Sequence, residues 1–373
     1  MRVLHVISDE NIGGAGVLLR TLLKNFDRTR VQNLVALPRE SRLIGELEPL
    51  GIPILPLEHL PDRLSRSSIG ELTRLIRSAH VDLIHANAAL SARFAGRICR
   101  VGVIHTRHCC FPSEGIWRIA PIRIMGGLGN RMLSDRVIAT ADAAADNLHA
   151  LGIPENKITR IVNGSEPVRD VSEAEKADFR ARWSLSHDDF PIGIVARLVD
   201  CKGHRTFLHA AREVIDRMPE IPFRFLIAGE GEARAELEKL ARELRLSDAV
   251  RFLGFVHDVA PLWHILRVNV NCSSGTETSC LALSEGMSAG VPMVVSRFGG
   301  NPAMLGKNGE AGLLCPVGDP HAFADAICTI ASSSQLEDAM RAAARKRFDR
   351  YYTARAMTDR VTAVYEELMA QRR

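Results

Sequence analysis

The alternation of short β-branched runs with longer segments of helical period is the feature that most constrains this fold. Such alternation is typical of parallel sheets that are covered by helices on both faces. The pattern runs from residue 3 to about residue 151 and starts again near residue 192. The sequence therefore predicts an α/β chain that folds into two doubly wound domains.

The predicted elements form two sets, one in each half of the chain. In the first half, strands are predicted at 3–7, 34–37, 54–57, 82–85, 101–105 and 136–139, and helices near 17–26, 69–79, 91–99 and 143–151. In the second half, strands are predicted at 192–196, 223–228, 250–253, 268–272 and 293–296, and helices near 204–217, 234–244, 281–289 and 321–331. Each set supplies the strands of one sheet.

The domain boundary is predicted in the turn-rich stretch 162–168, which the charged segment 170–182 follows. A last helix near 353–369 has no strand left to cover, so it is expected to pack back on the first domain. We therefore predict an N-terminal domain of residues 1–165, to which residues 353–373 return, and a C-terminal domain of residues 166–352.

Composition narrows the possible compartments and partners. The chain has 48 Lys and Arg against 44 Asp and Glu, and a net charge of +4 does not favour nucleic acid as a partner. Its eight cysteines show no CxxC spacing, which favours a reducing compartment. The apolar stretch at the N-terminus is too short for a signal peptide, and no run reaches the ~20 residues of a membrane span. We expect a cytoplasmic protein that binds no nucleic acid.

Two glycines, Gly13 and Gly14, follow the first predicted strand and precede a helix. Glycines at such a turn allow backbone N–H groups to approach a phosphate at the helix N-terminus. The dinucleotide fingerprint G-x-G-x-x-G is absent, because Leu19 stands where the third glycine would follow Gly14 and Gly16. Its absence disfavours a dehydrogenase. A tight turn without a ligand remains the alternative.

A pair of basic residues, Arg197 and Lys202, follows the first strand of the second set. The carboxyl ends of strands are where open α/β sheets bind ligands. The planar fork of an arginine together with the point charge of a lysine suits a diphosphate. The alternative is a solvated basic loop.

Two carboxylates, Glu277 and Glu285, stand eight positions apart. A helix that begins near Ser279 places Glu277 in the preceding loop and Glu285 about two turns along, so the two can contact different parts of one extended ligand. The backbone amides of Ser279, Cys280 and Leu281 would point at a phosphate. Either glutamate alone would more often be a solvated helix carboxylate.

Further motifs extend along nearly the whole chain: Val-Asn-Gly at 162–164, Ala-Gly-Glu-Gly at 228–231, Phe-Leu-Gly-Phe-Val at 252–256, Ala-Gly-Val-Pro at 289–292, Gly-Gly at 299–300 and Gly-Leu-Leu at 312–314. With the glycine loop, the basic pair and the spaced glutamates, they resemble the group 1 retaining glycosyltransferases, which have two facing Rossmann-like domains (the GT-B fold). The resemblance implies a nucleotide-diphosphate sugar held mainly by the C-terminal domain, an acceptor approaching from the N-terminal domain and no metal. The sequence has no Asp-x-Asp motif, which agrees.

The resemblance implies a role for each residue of the candidate site. Arg197 and Lys202 should neutralise the diphosphate as the sugar departs. Glu277 should contact the donor sugar, and Glu285 should accept the ribose hydroxyls. No cofactor is expected, since the nucleotide sugar is a substrate.

The same resemblance assigns the remaining donor contacts. Gly13 and Gly14 should close on the phosphates, and Gly229, Phe255 and Val256 should form the wall for the nucleotide base. The chain departs from the family pattern in the three residues after the first signature glutamate, Thr-Ser-Cys at 278–280, which place side chains where backbone usually approaches phosphate. A glutamate that often follows the double glycine is replaced by an alanine at position 303.

A histidine at the end of the fifth strand is expected to face the transferring sugar. His108 matches the family position best, and His105 is its competitor because the two can face different sides of a strand. A metal cluster of these histidines with Cys109 and Cys110 is a weaker alternative, because adjacent cysteines are poorly spaced for one ion.

We therefore expect a retaining glycosyltransferase that moves a hexose or N-acetylhexosamine, with UDP as the favoured carrier, to a glycan or lipid-linked acceptor in cell-surface polysaccharide synthesis. The alternatives are a nucleotide-sugar epimerase of the same fold and a non-catalytic protein that binds sugar nucleotides.

The stretch from Arg93 to Arg136 contains eight arginines and two acids. Within it, residues 116–125 interleave bulky apolar residues, among them Trp117, with arginines, a composition suited to a headgroup layer. An anionic membrane, with peripheral attachment at its inner surface, is the hypothesis that follows. The alternative is a loop that binds an anionic glycan, since Pro121 argues against one continuous helix.

Overall fold

The computed structural model describes residues 1–10, 13–61, 64–87, 89–108, 120–275, 277–306 and 309–372, and within helix 120–133 it describes side chains from residue 127. The chain divides into two compact units. The N-terminal unit comprises Met1–Ser165 and Ala354–Arg373, and the C-terminal unit comprises Glu166–Thr353.

The N-terminal unit is built on a parallel seven-stranded sheet with the order β3-β2-β1-β4-β5-β6-β7. Its strands are β1 Arg2–Ile7, β2 Gln32–Pro38, β3 Ile54–Leu57, β4 Leu83–Asn87, β5 Gly102–Arg107, β6 Arg136–Ala139 and β7 Ile158–Arg160. Its helices include α1 Gly14–Asn25, α2 Leu43–Leu47, α3 Arg66–Ser78, α4 Leu90–Cys99, α5 Ala120–Leu133 and α6 Asp142–Ala150. Apolar clusters lie on the sheet, as expected for a doubly wound domain.

The C-terminal unit repeats the plan with a parallel six-stranded sheet in the order β10-β9-β8-β11-β12-β13. Its strands are β8 Phe190–Val195, β9 Phe223–Ala228, β10 Val250–Gly254, β11 Val268–Asn271, β12 Met293–Ser296 and β13 Gly312–Cys315. Its helices are α7 Glu173–Arg182, α8 His204–Arg217, α9 Arg234–Glu243, α10 Ala260–Ile265, α11 Leu281–Ser288, α12 Asn301–Leu305, α13 Pro320–Ala331 and α14 Ser334–Arg347.

The last helix, α15 Ala354–Arg372, belongs to the N-terminal unit. Its Tyr365 is fully buried and hydrogen-bonds through Oη to His85 Nδ1 over 2.5 Å. The other ring nitrogen of His85 bonds to Thr106 Oγ1 over 2.6 Å, and Phe26 stacks on the Tyr365 ring at 5.8 Å. These contacts tie α15 to α1, β4 and β5.

One segment differs from its prediction. The charged stretch 170–182 was expected at the domain boundary, yet most of it forms α7. Ser172 and Glu175 form a capping box at the start of this helix, and Phe179 is buried against the C-terminal unit. The helix was hidden in the sequence because it buries this one side chain, which leaves almost no apolar period to detect.

Several of the other elements that were not predicted are short. β7 and β13 have three and four residues, and α2, α10 and α12 have five or six. α5 begins at Ala120, so Pro121 lies in the first turn, where a missing N–H costs no helical hydrogen bond. Residues 109–119, which include Trp117, lie outside the described residues.

Candidate functional site

The loops at the carboxyl ends of β8, β9, β11 and β12 bring the predicted residues of the C-terminal unit together. After β8, a short turn ends at Lys202, and Gly203 with φ +71° leads directly into α8. A Cβ atom on Gly203 would lie 2.2 Å from the carbonyl oxygen of Cys272, which follows β11. Glycine is therefore required for the two loops to pack against each other.

Lys202 and Glu277 form a buried ion pair in this packing. Lys202 Nζ lies 2.5 Å from Glu277 Oε2, and their side chains are 18% and 8% exposed. Burial alone would lower the pKa of the Lys202 ammonium, but the Glu277 carboxylate raises it, and the net pKa shift is upward. The lysine is therefore charged at neutral pH and fixed at the sheet edge.

The Glu277 loop is held from a second side by the loop after β12. Gly299 has φ +56°, and a Cβ atom on it would lie 1.9 Å from the carbonyl oxygen of Glu277. Ser296 Oγ donates to the carbonyl oxygen of Ser273 over 2.6 Å, and the hydroxyl of Ser273 donates to Glu277 Oε2 over 2.9 Å. Backbone contact and side-chain hydrogen bonds together fix the position of this carboxylate.

The N-terminus of α11 is free of acidic side chains. Cys280 occupies the cap position without a side-chain cap hydrogen bond, and Leu281 begins the helix. Burial raises the pKa of the Cys280 thiol to about 12, so it carries no negative charge at neutral pH. Ser279 is buried beside it, and Glu285 lies half-buried one turn into the helix. The positive end of the helix dipole is therefore left without an acidic side chain in its first turn.

Helix α11 is supported from behind by the core and by α14. A Cβ atom on Gly286 would lie 3.2 Å from the ring of the fully buried Trp263, so the helix packs closely on this ring. At the other end of α11, Arg345 donates to the carbonyl oxygen of Ser288, which places a positive charge at the helix C-terminus.

Arg197 differs from Lys202 in its surroundings. Its side chain is exposed, and none of the described residues forms an ion pair or side-chain hydrogen bond with it. The loop after β8 thus contains one positively charged side chain that is paired, Lys202, and one that has no partner among the described residues, Arg197.

The loops after β9 and β10 contain the predicted base wall. Gly229 has φ +141°, and a Cβ atom on it would lie 2.0 Å from the carbonyl oxygen of Ala196. Phe255 is 67% exposed, and its ring forms a T-shaped contact with the ring of His257, with the centroids 4.8 Å apart. Val256 beside it packs against the core. An aromatic face this exposed is available for a ligand.

In the N-terminal unit, Gly13 caps α1 and Gly14 is its first residue. A Cβ atom on either glycine would meet no atom of the described chain within 4 Å. Packing against the described residues therefore gives no reason for glycine at these two positions.

The two candidate histidines have different positions. His108 lies just beyond β5, and its Nε2 is 2.9 Å from Oδ1 of Asn87, the last residue of β4. Burial lowers the pKa of His108 to about 4, so its ring is neutral at physiological pH. His105 lies within β5, and burial lowers its pKa well below the usual value. His108 is thus at the carboxyl edge of the sheet and His105 inside it, while Cys109 and Cys110 lie outside the described residues.

A cluster of polar side chains, which was not predicted from the sequence, lies next to the loop that contains Glu277. It consists of Asn271 at the end of β11, Ser273, Ser296 at the end of β12 and Asn301 at the start of α12. Asn301 Nδ2 donates to Asn271 Oδ1 over 3.4 Å and to the carbonyl oxygen of Ser296 over 3.3 Å. The signal was available, because polar residues that end neighbouring parallel strands meet at one sheet edge.

Comparisons with known proteins agree with this architecture. Residues 12–169 match the family model described as Glycosyltransferase Family 4, and residues 189–333 match that described as Glycosyl transferases group 1. Two parallel-sheet, Rossmann-like domains of this kind define the GT-B class of glycosyltransferases.

Similar proteins extend the match over most of the chain. The D-inositol 3-phosphate glycosyltransferase of Corynebacterium urealyticum is 30% identical over 87% of this chain and 78% of its own. The alpha-D-kanosaminyltransferase of Streptomyces kanamyceticus is 28% identical over 62% and 60%. The structures of Anabaena Alr3699/HepE with UDP and with UDP-glucose have TM-scores of 0.86 and 0.85 at 20% identity, and each covers 98% of this chain and 100% of its own. The chain belongs to the group 1 glycosyltransferases with the GT-B fold.

Proposed function

We propose that this glycosyltransferase is retaining and metal-independent and takes its sugar from a UDP donor bound by the C-terminal unit. The carrying observation is the buried Lys202–Glu277 pair beside the exposed Arg197, at the carboxyl edge of the sheet. These residues place two positive charges and one carboxylate where a diphosphate and its sugar would meet.

Charge stabilisation by the chain itself supports this mechanism. As the bond between the anomeric carbon and the diphosphate breaks, negative charge grows on the leaving phosphate, and Arg197, Lys202 and the N-terminus of α11 are placed to stabilise it. The acceptor hydroxyl attacks from the same face and passes its proton to the departing phosphate. These groups take over the role that a divalent metal has in other transferases.

The remaining residues recognise the donor. Glu277 holds hydroxyls of the sugar, and Glu285 accepts hydrogen bonds from the ribose. The ring of His108, which is neutral at physiological pH, is proposed to bond a hydroxyl of the transferred sugar. Phe255 and Val256 face the base, and the UDP and UDP-glucose complexes of the similar Anabaena protein support uridine as that base.

The acceptor is a glycan or a lipid-linked glycan of a cell-surface polysaccharide. Incubation with UDP-glucose, UDP-N-acetylglucosamine and other nucleotide sugars, with and without acceptor, tests the function through UDP release. We expect the release of UDP to increase when acceptor is present, and the transferred sugar to keep its anomeric configuration in the product. Binding without release would leave a non-catalytic protein, and an altered sugar still attached to UDP would indicate an epimerase.

A peripheral membrane contact of the N-terminal unit is part of the proposal. The contacting helices α4 and α5 expose Ile98, Leu128 and Met132 by 53%, 52% and 73%, and Arg131 is exposed beside them. Among the described residues, no helix has the length and apolar character needed to cross a membrane.

Part of the positive charge in this region has an internal role. Arg93 is 5% exposed and donates to Ser134 Oγ, and Arg97 pairs with Asp135. The exposed charge is therefore smaller than the arginine count predicts, which makes the apolar side chains of α5 more important for attachment.

Co-sedimentation with anionic and neutral vesicles tests this contact. The double variant Leu128→Ser and Met132→Ser should lose binding to anionic vesicles, whereas Leu64→Ser, at a residue that is 55% exposed elsewhere in the unit, should not. Equal sedimentation of all three proteins would contradict the membrane contact and leave a glycan that is not membrane-bound as the acceptor.

A further inference from the structure

The two oxygens of the Glu277 carboxylate have different surroundings. Oε2 receives both the ammonium of Lys202, at 2.5 Å, and the hydroxyl of Ser273, at 2.9 Å. Oε1 accepts no hydrogen bond from the residues that the structure describes. Among the described residues, Oε2 thus has two donors and Oε1 has none.

Ser273 is itself fixed by three hydrogen bonds. Its hydroxyl donates to Glu277, its N–H donates to Asn271 Oδ1 over 3.0 Å, and its carbonyl oxygen accepts from Ser296 Oγ over 2.6 Å. The residue is 1% exposed. A buried serine whose own N–H and carbonyl oxygen are both bonded by neighbouring side chains can orient a carboxylate without moving when a ligand binds.

The Lys202 contact is the one that donor binding would change. On the proposed function, on which this inference rests, the diphosphate attracts the Lys202 ammonium away from Glu277. Among the described side chains, Ser273 is then the one that still donates a hydrogen bond to Oε2. Without the Ser273 hydroxyl, the Glu277 carboxylate would lose its orientation while the donor sugar is bound.

We infer that Ser273 is a positioning residue that holds Glu277 so that Oε1 faces the hydroxyls of the donor sugar. This role concerns the sugar and not the nucleotide. Loss of the Ser273 hydroxyl therefore weakens steps that involve the sugar and leaves the binding of UDP unchanged. A merely structural role in the loop would weaken both.

The test compares Ser273→Ala with wild type in two measurements, the Kd for UDP and kcat/KM for UDP release from UDP-glucose. We expect kcat/KM to fall about tenfold, as for loss of a hydrogen bond to a charged group, and Kd for UDP to stay within about twofold. Ser284→Ala is the matched control, because Ser284 is buried in the same unit and its hydroxyl bonds the carbonyl oxygen of Leu281 in its own helix. It should leave both values within about twofold of wild type.

A double-mutant cycle shows whether Ser273 acts through Glu277. In a Glu277→Ala background, Ser273→Ala should cause little further loss, because the carboxylate that it orients is gone. Additive losses, or an equal weakening of UDP binding and UDP release, would overturn the inference. If wild-type protein released no UDP from UDP-glucose, the proposed donor itself would fail, and the inference with it; that outcome is distinguished by appearing before any substitution is made.

Discussion

In the C-terminal unit, a Cβ atom on Gly203, Gly229 or Gly299 would lie 2.2, 2.0 or 1.9 Å from a backbone carbonyl oxygen, whereas one on Gly13 or Gly14 of the N-terminal unit would meet nothing within 4 Å. The first three glycines are needed for the loops of the candidate site to pack on one another. The other two meet no described residue. The difference indicates that the loops of the C-terminal site depend on close internal packing, whereas packing among the described residues places no such demand on Gly13 and Gly14.

The two units also differ in the kind of polar side chain that they bury. The N-terminal unit buries neutral rings, among them His5, His85 and His105. The C-terminal unit buries paired charges, such as Glu337, which bonds Arg267 and Arg341 and is 4% exposed. Acidification should therefore affect mainly the N-terminal unit, where more neutral histidine rings are buried.

The largest expected effect comes from the positive charges of the C-terminal site. Lys202→Ala or Arg197→Ala should lower kcat for UDP release about 10²- to 10³-fold, because each removes a contact that strengthens as the diphosphate departs. Glu285→Ala should instead weaken donor binding. Steady-state kinetics of UDP release check both, and an Arg197→Ala rate within a few-fold of wild type would contradict the diphosphate assignment.

Acidification should destabilise the N-terminal unit more than the C-terminal one. Burial lowers the pKa values of His5 and His108 to about 4, so between pH 6.5 and 4 the unfolded state binds more protons and stability falls with pH. These two residues alone should cost about 3 kcal/mol at pH 5.5. Among the described histidines of the C-terminal unit, His204 is the one with a lowered pKa, also about 4.

Hydrogen exchange at pH 7.0 and 5.5, corrected for the intrinsic exchange rates, checks this difference. Protection should fall mainly in peptides of the N-terminal unit. A loss that is equal in the two units would mean that the buried histidines do not control acid stability.

The glycine contrast predicts opposite effects for two alanine substitutions. Gly299→Ala forces a left-handed residue against the carbonyl of Glu277 and should lower the free energy of unfolding by about 2 kcal/mol or more. Gly14→Ala places a good helix former at the start of α1, so stability should stay equal or rise while UDP release slows. Thermal unfolding measures the stability of both variants, and steady-state kinetics measure UDP release. A clear loss of stability in Gly14→Ala would contradict the expected difference between the two glycines.

The smallest effect is expected at Phe255. Because this ring is 67% exposed, Phe255→Ala should not change the melting temperature, yet it should weaken UDP binding about fivefold through loss of base stacking. Val317→Ala, at another exposed apolar residue of the same unit, is the control. Calorimetric titration with UDP distinguishes the two, and equal affinities would remove Phe255 from the base wall.

The sequence predicted the fold, and it singled out residues of loops that lie at one edge of the C-terminal sheet, because both depend on local pattern. Parallel strands show as β-branched runs, and Arg197, Glu277 and Glu285 stand in motifs at strand ends. Two features could not be read in this way. α7 buries one residue and has no apolar period, and the hydrogen bond from Ser273 to Glu277 depends on tertiary packing after β11.

The pairing of Lys202 with Glu277 was also beyond sequence reasoning, which assigned them to different parts of the donor. The two are 75 positions apart and follow β8 and β11, which are neighbours in the sheet, and Gly203 allows the first loop to pack against the carbonyl oxygen of Cys272. The sequence can predict that these strand ends meet, but which side chains pair there depends on tertiary packing, which motif spacing does not encode.

A crystal structure of the protein with UDP-glucose tests the central claim most directly. We predict that the diphosphate contacts Arg197 and Lys202, that Lys202 Nζ has left Glu277, and that Glu277 Oε1 bonds the sugar while Ser273 still donates to Oε2. A diphosphate bound elsewhere, with the Lys202–Glu277 pair intact, would contradict the account.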